Sequence, residues 1–414
     1  TTEIYTLSLH DALPIFEKVA TSFGYQEWDG PFLEKIDLYA AKSGEELVKE
    51  QSFVFPDRGG DLVTLRPELT PSLARMVAQK QNELVFPLRW WSFGPFWRYE
   101  RPQKGRTREF FQWNIDLIGV DSPEADAELL GICATFLQQV GITPDQIRIF
   151  VNDRKLIDAE LGKLGIDSKL KKEVFHLIDR RDKMSAESWT ANALEKGLTQ
   201  NQLKGLSEMM DNQNLWQKSE DLVRVFQVLE AMGLSQYVQY NPQIVRGLDY
   251  YTGIVFEAWD VGGDGRAAGG GGHYANLVGD VGGNPLCGVG FAMGDVMMTI
   301  LLSKYGKIPE LKSLADTVLV TIFDESLMNS SIAFAAELRR NKIKSICYPE
   351  AAKLQKQFKY ADRLGIGSVV VIGPDEEAQG KVTYKNLADG TQEVLTRNEA
   401  LARIKQLLAQ PAGL

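Results

Sequence analysis

The segment from residue 98 to residue 116 concentrates side chains that could hold a phosphate-bearing ligand. Five cations surround a short loop marked by Pro102 and Gly105, and they are Arg98, Arg101, Lys104, Arg106 and Arg108. Positive charge on such a loop favours a polyphosphate, because guanidinium groups grip phosphate oxygens through paired hydrogen bonds. The alternative is a surface hairpin with a solvated basic tip.

Polar and apolar residues alternate after this loop, which is typical of a β-strand with one polar and one apolar face. One face carries Phe110, Gln112, Asn114 and Asp116, and the other carries Phe111, Trp113, Ile115 and Leu117. The second set is predicted to enter the core. The carboxylate and amides of the first set would lose hydration unless a partner satisfied them. The first face is therefore predicted to line a site for a small polar ligand.

Apolar periodicity predicts the elements that position this strand. The pattern over residues 16–23 predicts a helix, and residues 28–119 are predicted to form short strands and turns that pair antiparallel. A helix is predicted to begin at Ser122 and to run towards residue 140.

The rest of the chain divides by composition. Residues 152–240 are rich in lysine, glutamate and leucine and are predicted to be helical, and strands are expected to return over 243–259. The C-terminal part alternates predicted strands (316–323, 343–348, 368–372) with predicted helices (329–341, 353–363). That alternation indicates a small α/β domain with parallel pairing.

Four blocks of the sequence resemble one known family. Residues 98–116 resemble motif 2 of the class II aminoacyl-tRNA synthetases, in the form found in the histidyl-tRNA synthetase family. Residues 64–70, Thr-Leu-Arg-Pro-Glu-Leu-Thr, resemble its amino-acid-binding strand and turn, and residues 245–253, Val-Arg-Gly-Leu-Asp-Tyr-Tyr-Thr-Gly, resemble the block peculiar to the histidine enzymes. The helix and proline-bearing strand over 16–34 resemble motif 1, which builds the dimer interface in that family.

The resemblance implies an α+β fold: a class II synthetase catalytic domain with an antiparallel sheet and flanking helices, a helical insertion, and a C-terminal α/β anticodon-binding domain. The expected boundaries are 16–150 for the first catalytic part with motifs 1 and 2, 151–240 for the insertion, 241–310 for the second catalytic part with the histidine block and motif 3, and 314–414 for the anticodon-binding domain. Residues 1–15 lack periodicity and resemble translated sequencing-adapter read-through, so they are expected to be a non-native leader and not a signal peptide.

The resemblance implies that ATP and L-histidine are substrates, followed by transfer of the histidyl group to tRNA(His). Positioned charge serves such chemistry better than a protein nucleophile. By their places in the family's motifs, Arg98 and Arg246 would hold the α-phosphate, Arg106 would meet the outer phosphates, and Phe110 would stack on adenine. Mg²⁺ is expected to accompany ATP, and no metal ligands are assigned in the protein.

The histidine pocket is expected at the other end of the same strand. Glu68, Thr70 and Gln112 would receive the α-ammonium group, and Asp116 with Tyr251 would bind an imidazole N–H. Tyr274 is expected to help form this pocket.

Two glycine-rich stretches could be mistaken for nucleotide loops. The stretch 262–272 lacks the Gly-Lys-Ser/Thr ending of a P-loop, and it is expected instead to approach the aminoacyl pocket closely with its backbone. The stretch 288–294 lacks the spacing of a dinucleotide fingerprint.

The sequence departs from the family at two places. Val296 and Met297 stand where the family most often has an acid and the motif 3 arginine, and His273 stands where arginine is usual. The first departure is interpreted as lineage variation. Nothing in the expected mechanism requires His273.

The amino-acid composition limits the classes of partner that are expected. The net charge of −9 argues against nonspecific coating of nucleic acid but allows tRNA to bind at local basic patches. Two such clusters are Arg339, Arg340, Lys342 and Lys344, and Lys353, Lys356, Lys359 and Arg363. No apolar run has membrane-spanning length, so no membrane partner is expected. The three widely spaced cysteines suggest neither a disulfide framework nor a zinc site, and a reducing cytoplasm fits.

Three functions are compatible with these sequence features. An ATP-dependent histidine ligase, expected by family to be a homodimer, is favoured. The main rival is a non-catalytic paralogue, such as the histidine-sensing regulatory subunit of ATP phosphoribosyltransferase, which generally lacks the anticodon-binding domain. A nucleotide-binding module without chemistry would leave Asp116 and Tyr251 unexplained.

Overall fold

The computed structural model describes residues 13–40, 50–100, 105–181, 184–245, 251–263, 267–276, 278–308 and 314–409. The chain divides into two compact units, Thr1–Pro309 and Glu310–Leu414. Within those ranges, no helix combines the length and the apolar character that crossing a bilayer requires.

The first unit is built on a large mixed sheet and a small three-stranded sheet. Its described strands are β1 (Gln26–Glu27), β2 (Leu33–Lys35), β3 (Val54–Pro56), β4 (Leu62–Leu65), β5 (Leu88–Trp97), β6 (Glu109–Ile118), β7 (Ile147–Asp153), β8 (Val238–Tyr240), β9 (Ile254–Asp260), β10 (Gly269–Tyr274) and β11 (Gly288–Gly294). The large sheet has the order β1-β5-β6-β11-β10-β9-β7-β8, and the small one has the order β2-β4-β3.

The central strands of the large sheet pair antiparallel from β5 through to β7, as the sequence predicted. The outermost strands differ, because β1 pairs parallel with β5 and β8 pairs parallel with β7. Strand β6, the predicted ligand-facing strand, therefore lies between β5 and β11 inside the sheet.

Helices cover this unit. Those described are α1 (Leu13–Ser22), α2 (Ile36–Ala40), α3 (Thr70–Lys80), α4 (Pro123–Gln139), α5 (Arg154–Lys163), α6 (Lys171–Asp179), α7 (Ala186–Glu195), α8 (Gln200–Asp211), α9 (Glu220–Ala231) and α10 (Asp295–Lys304). Helix α1 begins three residues earlier than predicted, inside the stretch expected to be a leader. Phe16, predicted as the first helical residue, is buried in the main core and so lies within the first turn of the helix.

Helix α4 follows its sequence signals. The Ser122 hydroxyl accepts a hydrogen bond from the Ala125 N–H at 3.3 Å, and Pro123 occupies the first turn, where no N–H is needed. Its Phe136 ring lies 5.4 Å from the Trp113 ring of β6. Trp113, Ile115 and Leu117 are all buried in the main core. The predicted apolar face of β6 is confirmed, and its other face is left for a site.

Helix α3 was missed, because residues 28–119 were predicted as strands and turns only. Pro71 is compatible with a first helical turn, and the buried residues Leu73, Ala74 and Val77 recur at helical spacing. The helix begins at Thr70, one of the residues expected to receive the α-ammonium group.

Helices α5 to α9 share the core of the large sheet. Buried residues on those helices, such as Leu161, Leu206 and Leu229, belong to the same apolar cluster as Trp113 and Ile149 of the sheet. The first unit thus has a core that continues from the sheet into its helices.

The second unit is a five-stranded sheet covered by helices. Its elements are β12 (Val318–Val320), α11 (Met328–Arg340), β13 (Ser345–Cys347), α12 (Leu354–Arg363), β14 (Ser368–Val371), α13 (Pro374–Ala378), β15 (Lys381–Asn386), β16 (Gln392–Thr396) and α14 (Arg397–Ala409). The order is β13-β12-β14-β15-β16, and β12 pairs parallel with both neighbours, as predicted. The β15–β16 hairpin was not predicted, and β16 alternates half-buried with exposed residues at the sheet edge.

Candidate functional site

The site is built on β6, whose polar face runs from Phe110 to Asp116. Asp116 lies opposite Trp90 of β5 and Gly290 of β11. Gln112 lies opposite Gly94 and Gly294 in the same two strands. The predicted polar residues thus follow one another along a strand that is fixed on both sides by backbone pairing.

Asp116 and Tyr274 form a buried pair at one end of this face. The Tyr274 hydroxyl donates to the Asp116 Oδ1 at 3.0 Å, and the two residues are 2% and 6% exposed. Burial raises the pKa of Asp116 to about 7, although the hydrogen bond from Tyr274 opposes the rise. A carboxylate held in this way is suited to accept a proton, or a hydrogen bond from an N–H group, of a ligand.

Glycines make the room that this pair needs. A Cβ atom at Gly290 would overlap the Asp116 Oδ1, and one at Gly288 would lie 2.7 Å from the Tyr274 Cε2. A Cβ atom at Gly272 would lie 2.8 Å from the Tyr251 Cδ1. The close backbone approach expected of the glycine-rich stretch is therefore present in β10, and β11 contributes in the same way.

Tyr251 joins the same end of the site. It is buried in one apolar cluster with Tyr274, Leu88 and Ile118. The structure therefore brings three of the predicted histidine-binding residues, Asp116, Tyr251 and Tyr274, into one neighbourhood.

Glu68 and Thr70 lie at the junction between β4 and α3. Glu68 is buried, and Thr70 is half-buried as the first residue of α3. The Glu68 carbonyl lies 3.4 Å from the hydroxyl of the buried Tyr39. A buried carboxylate beside a helix start is an arrangement that can receive an ammonium group.

Arg98 and Phe110 form the other end of the polar face. The Arg98 Nε donates to the Pro67 carbonyl at 2.9 Å, and its guanidinium carbon lies 5.4 Å from the Phe110 ring centroid. The Phe110 ring is stacked on Phe96 at 6.1 Å. The cation and the aromatic ring predicted to meet a nucleotide are adjacent.

The loop beyond them carries Arg106. Its Nη1 lies 2.6 Å from the Glu100 Oε2, so this cation is paired. A Cβ atom at Gly105 would contact the Met297 sulfur, which places the motif 3 departure directly against this loop. Arg101 and Lys104 lie outside the described residues.

Arg246 also lies outside the residues that the structure describes, as does most of the block peculiar to the histidine enzymes. Its predicted place opposite Arg98 stays a prediction.

Arg66 was missed as a site residue, although it lies within residues 64–70, which resemble the family's amino-acid-binding strand and turn. It is fully buried, its Nη1 lies 2.6 Å from the Asp29 Oδ1, and its Nε donates to the Pro95 carbonyl at 3.0 Å. Its guanidinium lies 4.7 Å from the Phe96 ring, which in turn supports Phe110. Its position between Leu65 and Pro67 gave no signal of this role.

Asp295, at the start of α10, is a second carboxyl with altered acidity. Burial raises its pKa to about 6, although backbone N–H groups at Val296 and Phe111 oppose the rise. The next two residues, Val296 and Met297, are those at which the sequence departs from the family pattern. The acid here is one position earlier than the family's usual acid.

Comparisons with known proteins identify the family of this chain. The sequence model of the family described as Histidyl-tRNA synthetase matches residues 10–296, and that of the anticodon-binding domain matches residues 317–407. A histidine–tRNA ligase of Leptospira biflexa is 35% identical over 96% of this chain and 93% of its own length. One of Halobacterium salinarum is also 35% identical, over 92% of this chain and 90% of its own.

A solved structure shares the fold. The histidyl-tRNA synthetase from Nostoc sp. PCC 7120 superposes with a TM-score of 0.83, at 24% identity, over 97% of this chain and 96% of that one. Since the family match spans well over half of the sequence and relatives align along nearly all of it, this chain belongs to the histidyl-tRNA synthetase family of aminoacyl-tRNA synthetases.

Proposed function

We propose that this chain uses ATP to convert L-histidine to histidyl-adenylate and then transfers the histidyl group to tRNA(His). The observation that carries the proposal is the buried Asp116–Tyr274 pair on the strand face that also carries Phe110, next to Arg98. In the first step a histidine carboxylate oxygen attacks the α-phosphorus and pyrophosphate leaves. In the second, a ribose hydroxyl of tRNA takes the acyl group and AMP leaves.

Arg98 and Arg246 hold the α-phosphate in this proposal, Arg106 meets the outer phosphates, and Phe110 stacks on adenine. Preorganised charge of this kind is the main contribution that a protein makes to phosphoryl chemistry. The cation–π geometry of Arg98 over Phe110 supports a base and a phosphate bound side by side. Mg²⁺ bound together with ATP would supply positive charge that neutralises the leaving pyrophosphate.

Asp116 and Tyr251 bind the imidazole in this proposal, and Tyr274 orients the Asp116 carboxylate. Glu68, Thr70 and Gln112 receive the α-ammonium group. A carboxylate favours the imidazole ring over rings without an N–H group, because it accepts a hydrogen bond from that N–H. The hydrogen bond from Tyr274 supports this arrangement, because it leaves the second oxygen of Asp116 for the ligand.

We propose a homodimer formed through the small sheet of the first unit. Apolar side chains on it are exposed by 39% to 53%, namely Leu33, Val54, Phe55 and Leu62. Exposed apolar groups gathered on one small element favour an interface.

We propose that the reaction takes place in the cytoplasm. We also propose that tRNA binds to basic residues of the second unit and to the loop around Arg106. Lys344 and Lys356 are paired with Asp316 and Glu350, each at 2.8 Å. Such exposed pairs are weak and can be exchanged for phosphates.

A non-catalytic histidine sensor is the second candidate. The observation that favours it is Met297, an apolar residue in contact with the loop that should hold phosphates. The anticodon-binding domain over 317–407 favours the ligase instead, because a sensor has no use for tRNA.

Histidine-dependent exchange of labelled pyrophosphate into ATP tests the proposal. We expect exchange in the wild type, a loss of about 10²- to 10³-fold for Arg98→Ala, and an increased KM for histidine for Asp116→Ala. Arg224→Ala, which removes a surface pair with Glu124, is the control and should not change the rate. Histidine binding without any exchange would instead establish the sensor.

A further inference from the structure

A second cluster of reactive side chains lies at the ends of β10 and β11, near the start of α4. It consists of Asp121, His273 and Cys287, whose ligand atoms all lie within 4.8 Å of one another. The His273 Nε2 is 3.2 Å from the Asp121 Oδ1. The three residues come from separate segments, so their spacing in the sequence gave no indication of a cluster.

The cluster has the supporting contact that a histidine ligand usually has. The His273 Nδ1 lies 3.1 Å from the Oδ1 of Asp126, a buried residue in the first turn of α4. A carboxylate on one ring nitrogen holds the ring in place and directs the lone pair of the other nitrogen outward. Here the outward nitrogen is Nε2, and it faces Asp121 and Cys287.

The surroundings favour a cation. Asp121 and Asp126 flank the imidazole with two carboxylates. Lys155 is close enough to affect His273 electrostatically, but its Nζ is paired with the Asp221 Oδ2 at 3.0 Å. The cluster therefore carries net negative charge when the imidazole is neutral.

The cluster is separate from the proposed histidine pocket. His273 and Tyr274 are consecutive in β10, so their side chains project to opposite faces of the sheet. Tyr274 contacts Asp116, whereas His273 contacts the start of α4.

We propose that Asp121, His273 and Cys287 bind a zinc ion that ties the ends of β10 and β11 to the start of α4. One nitrogen, one thiolate and one carboxylate form a donor set that zinc accepts, and a fourth position is left for solvent. Zinc bonds of about 2.0–2.3 Å place tetrahedral ligands about 3.5 Å apart. The Asp121 side chain is 67% exposed, so it can rotate to complete this geometry.

The ion would stabilise this part of the fold and would take no part in the reaction. Cys287 directly precedes Gly288, which pairs with Tyr274 in the sheet. Fixing that end of β11 steadies the strand pair that carries Tyr274 and Gly290.

Titration of the metal-free full chain with Co²⁺, followed by competition with Zn²⁺, tests the site. We expect one equivalent to bind with a thiolate-to-metal charge-transfer band that Zn²⁺ removes. Cys287→Ser should abolish the band, and Asp126→Asn should weaken binding by about 10- to 100-fold. Cys347→Ser, a half-buried cysteine of the second unit, is the matched control and should keep both. A band that survives in Cys287→Ser, or no saturable binding by the wild type, would overturn the proposal.

Alkylation of the wild type gives a measurement that needs no variant. Zn²⁺ should slow the alkylation of Cys287 by about tenfold or more while Cys347 reacts at an unchanged rate, because a metal-bound thiolate is no longer a free nucleophile. Equal rates for Cys287 with and without Zn²⁺ would also overturn the proposal.

Discussion

At the scale of single residues, Asp116 is a carboxyl placed where water cannot stabilise its charge. Burial raises its pKa from 3.8 to about 7, and the Tyr274 hydroxyl recovers only part of the lost hydration. The folded protein therefore holds a proton that the unfolded chain has already released between about pH 4 and pH 7. Stability contributed by this group is present below pH 4 and is lost as the pH rises to about 7.

Asp116→Asn should for this reason stabilise the first unit at neutral and alkaline pH. The amide oxygen can still accept from Tyr274, and the cost of the buried charge is removed. We expect the variant's advantage to be about 1–2 kcal/mol at pH 5 and to grow to at most about 4 kcal/mol at pH 8. Urea unfolding followed by tryptophan fluorescence measures it, because all eight tryptophans lie in the first unit.

Thr64→Val serves as the control for this comparison. Thr64 is equally buried but cannot titrate, so its variant should differ from the wild type by the same amount at both pH values. An advantage of Asp116→Asn that does not grow with pH would contradict the assigned pKa.

At the scale of elements, the spacing between β6 and β11 decides how Asp116 is presented. Gly290 pairs directly with Asp116, and any side chain there would overlap the carboxylate. Strand glycines usually weaken a sheet, but here they admit larger side chains from a neighbouring strand.

Gly290→Ala should lower kcat/KM for histidine by about 10- to 100-fold, because displacing a binding group by about 1 Å has effects of that size. The KM for ATP should change little, since Phe110 and Arg98 lie at the other end of β6. Steady-state pyrophosphate exchange with each substrate varied in turn provides the measurement.

Gly162→Ala is the matched control for that variant. Gly162 lies in α5 with open space around its Cβ position, so alanine should leave exchange unchanged and stabilise the helix by up to about 1 kcal/mol. Equal losses in the two substrates for Gly290→Ala would show a general distortion and not a displaced Asp116.

At the scale of the whole molecule, the small sheet exposes apolar side chains where the dimer interface is proposed. Leu62 is 53% exposed in the middle strand of that sheet, β4. Exposed apolar groups of this kind are covered in an assembly or cause aggregation.

Leu62→Asp should shift the proposed dimer towards the monomer, because a carboxylate in a contact loses hydration without gaining a partner. Light scattering coupled to size exclusion should show twice the chain mass for the wild type and less for this variant. Val394→Asp, a substitution of an equally exposed strand residue in the second unit, should remain dimeric. A dimer unaffected by Leu62→Asp would place the interface elsewhere.

Local sequence patterns predicted much of this protein. The alternation in β6 identified its core face and its polar face, the Ser122 cap and the Pro123 that follows located the start of α4, and buried apolar runs located the parallel strands β12 to β14. These patterns depend on the geometry of a single strand or helix, so neighbouring residues are enough to reveal them.

Contacts between distant segments could be known only from the tertiary structure. The burial of Arg66 against Asp29, the hydrogen bond from Tyr274 to Asp116, and the meeting of Asp121, His273 and Cys287 each join segments that are remote in the chain. The sequence alone determined which residue types were available and which face of an element they occupy. Only the pairing and packing of the strands decided which of those side chains meet, because that depends on sheet order, register and burial, which no single segment contains.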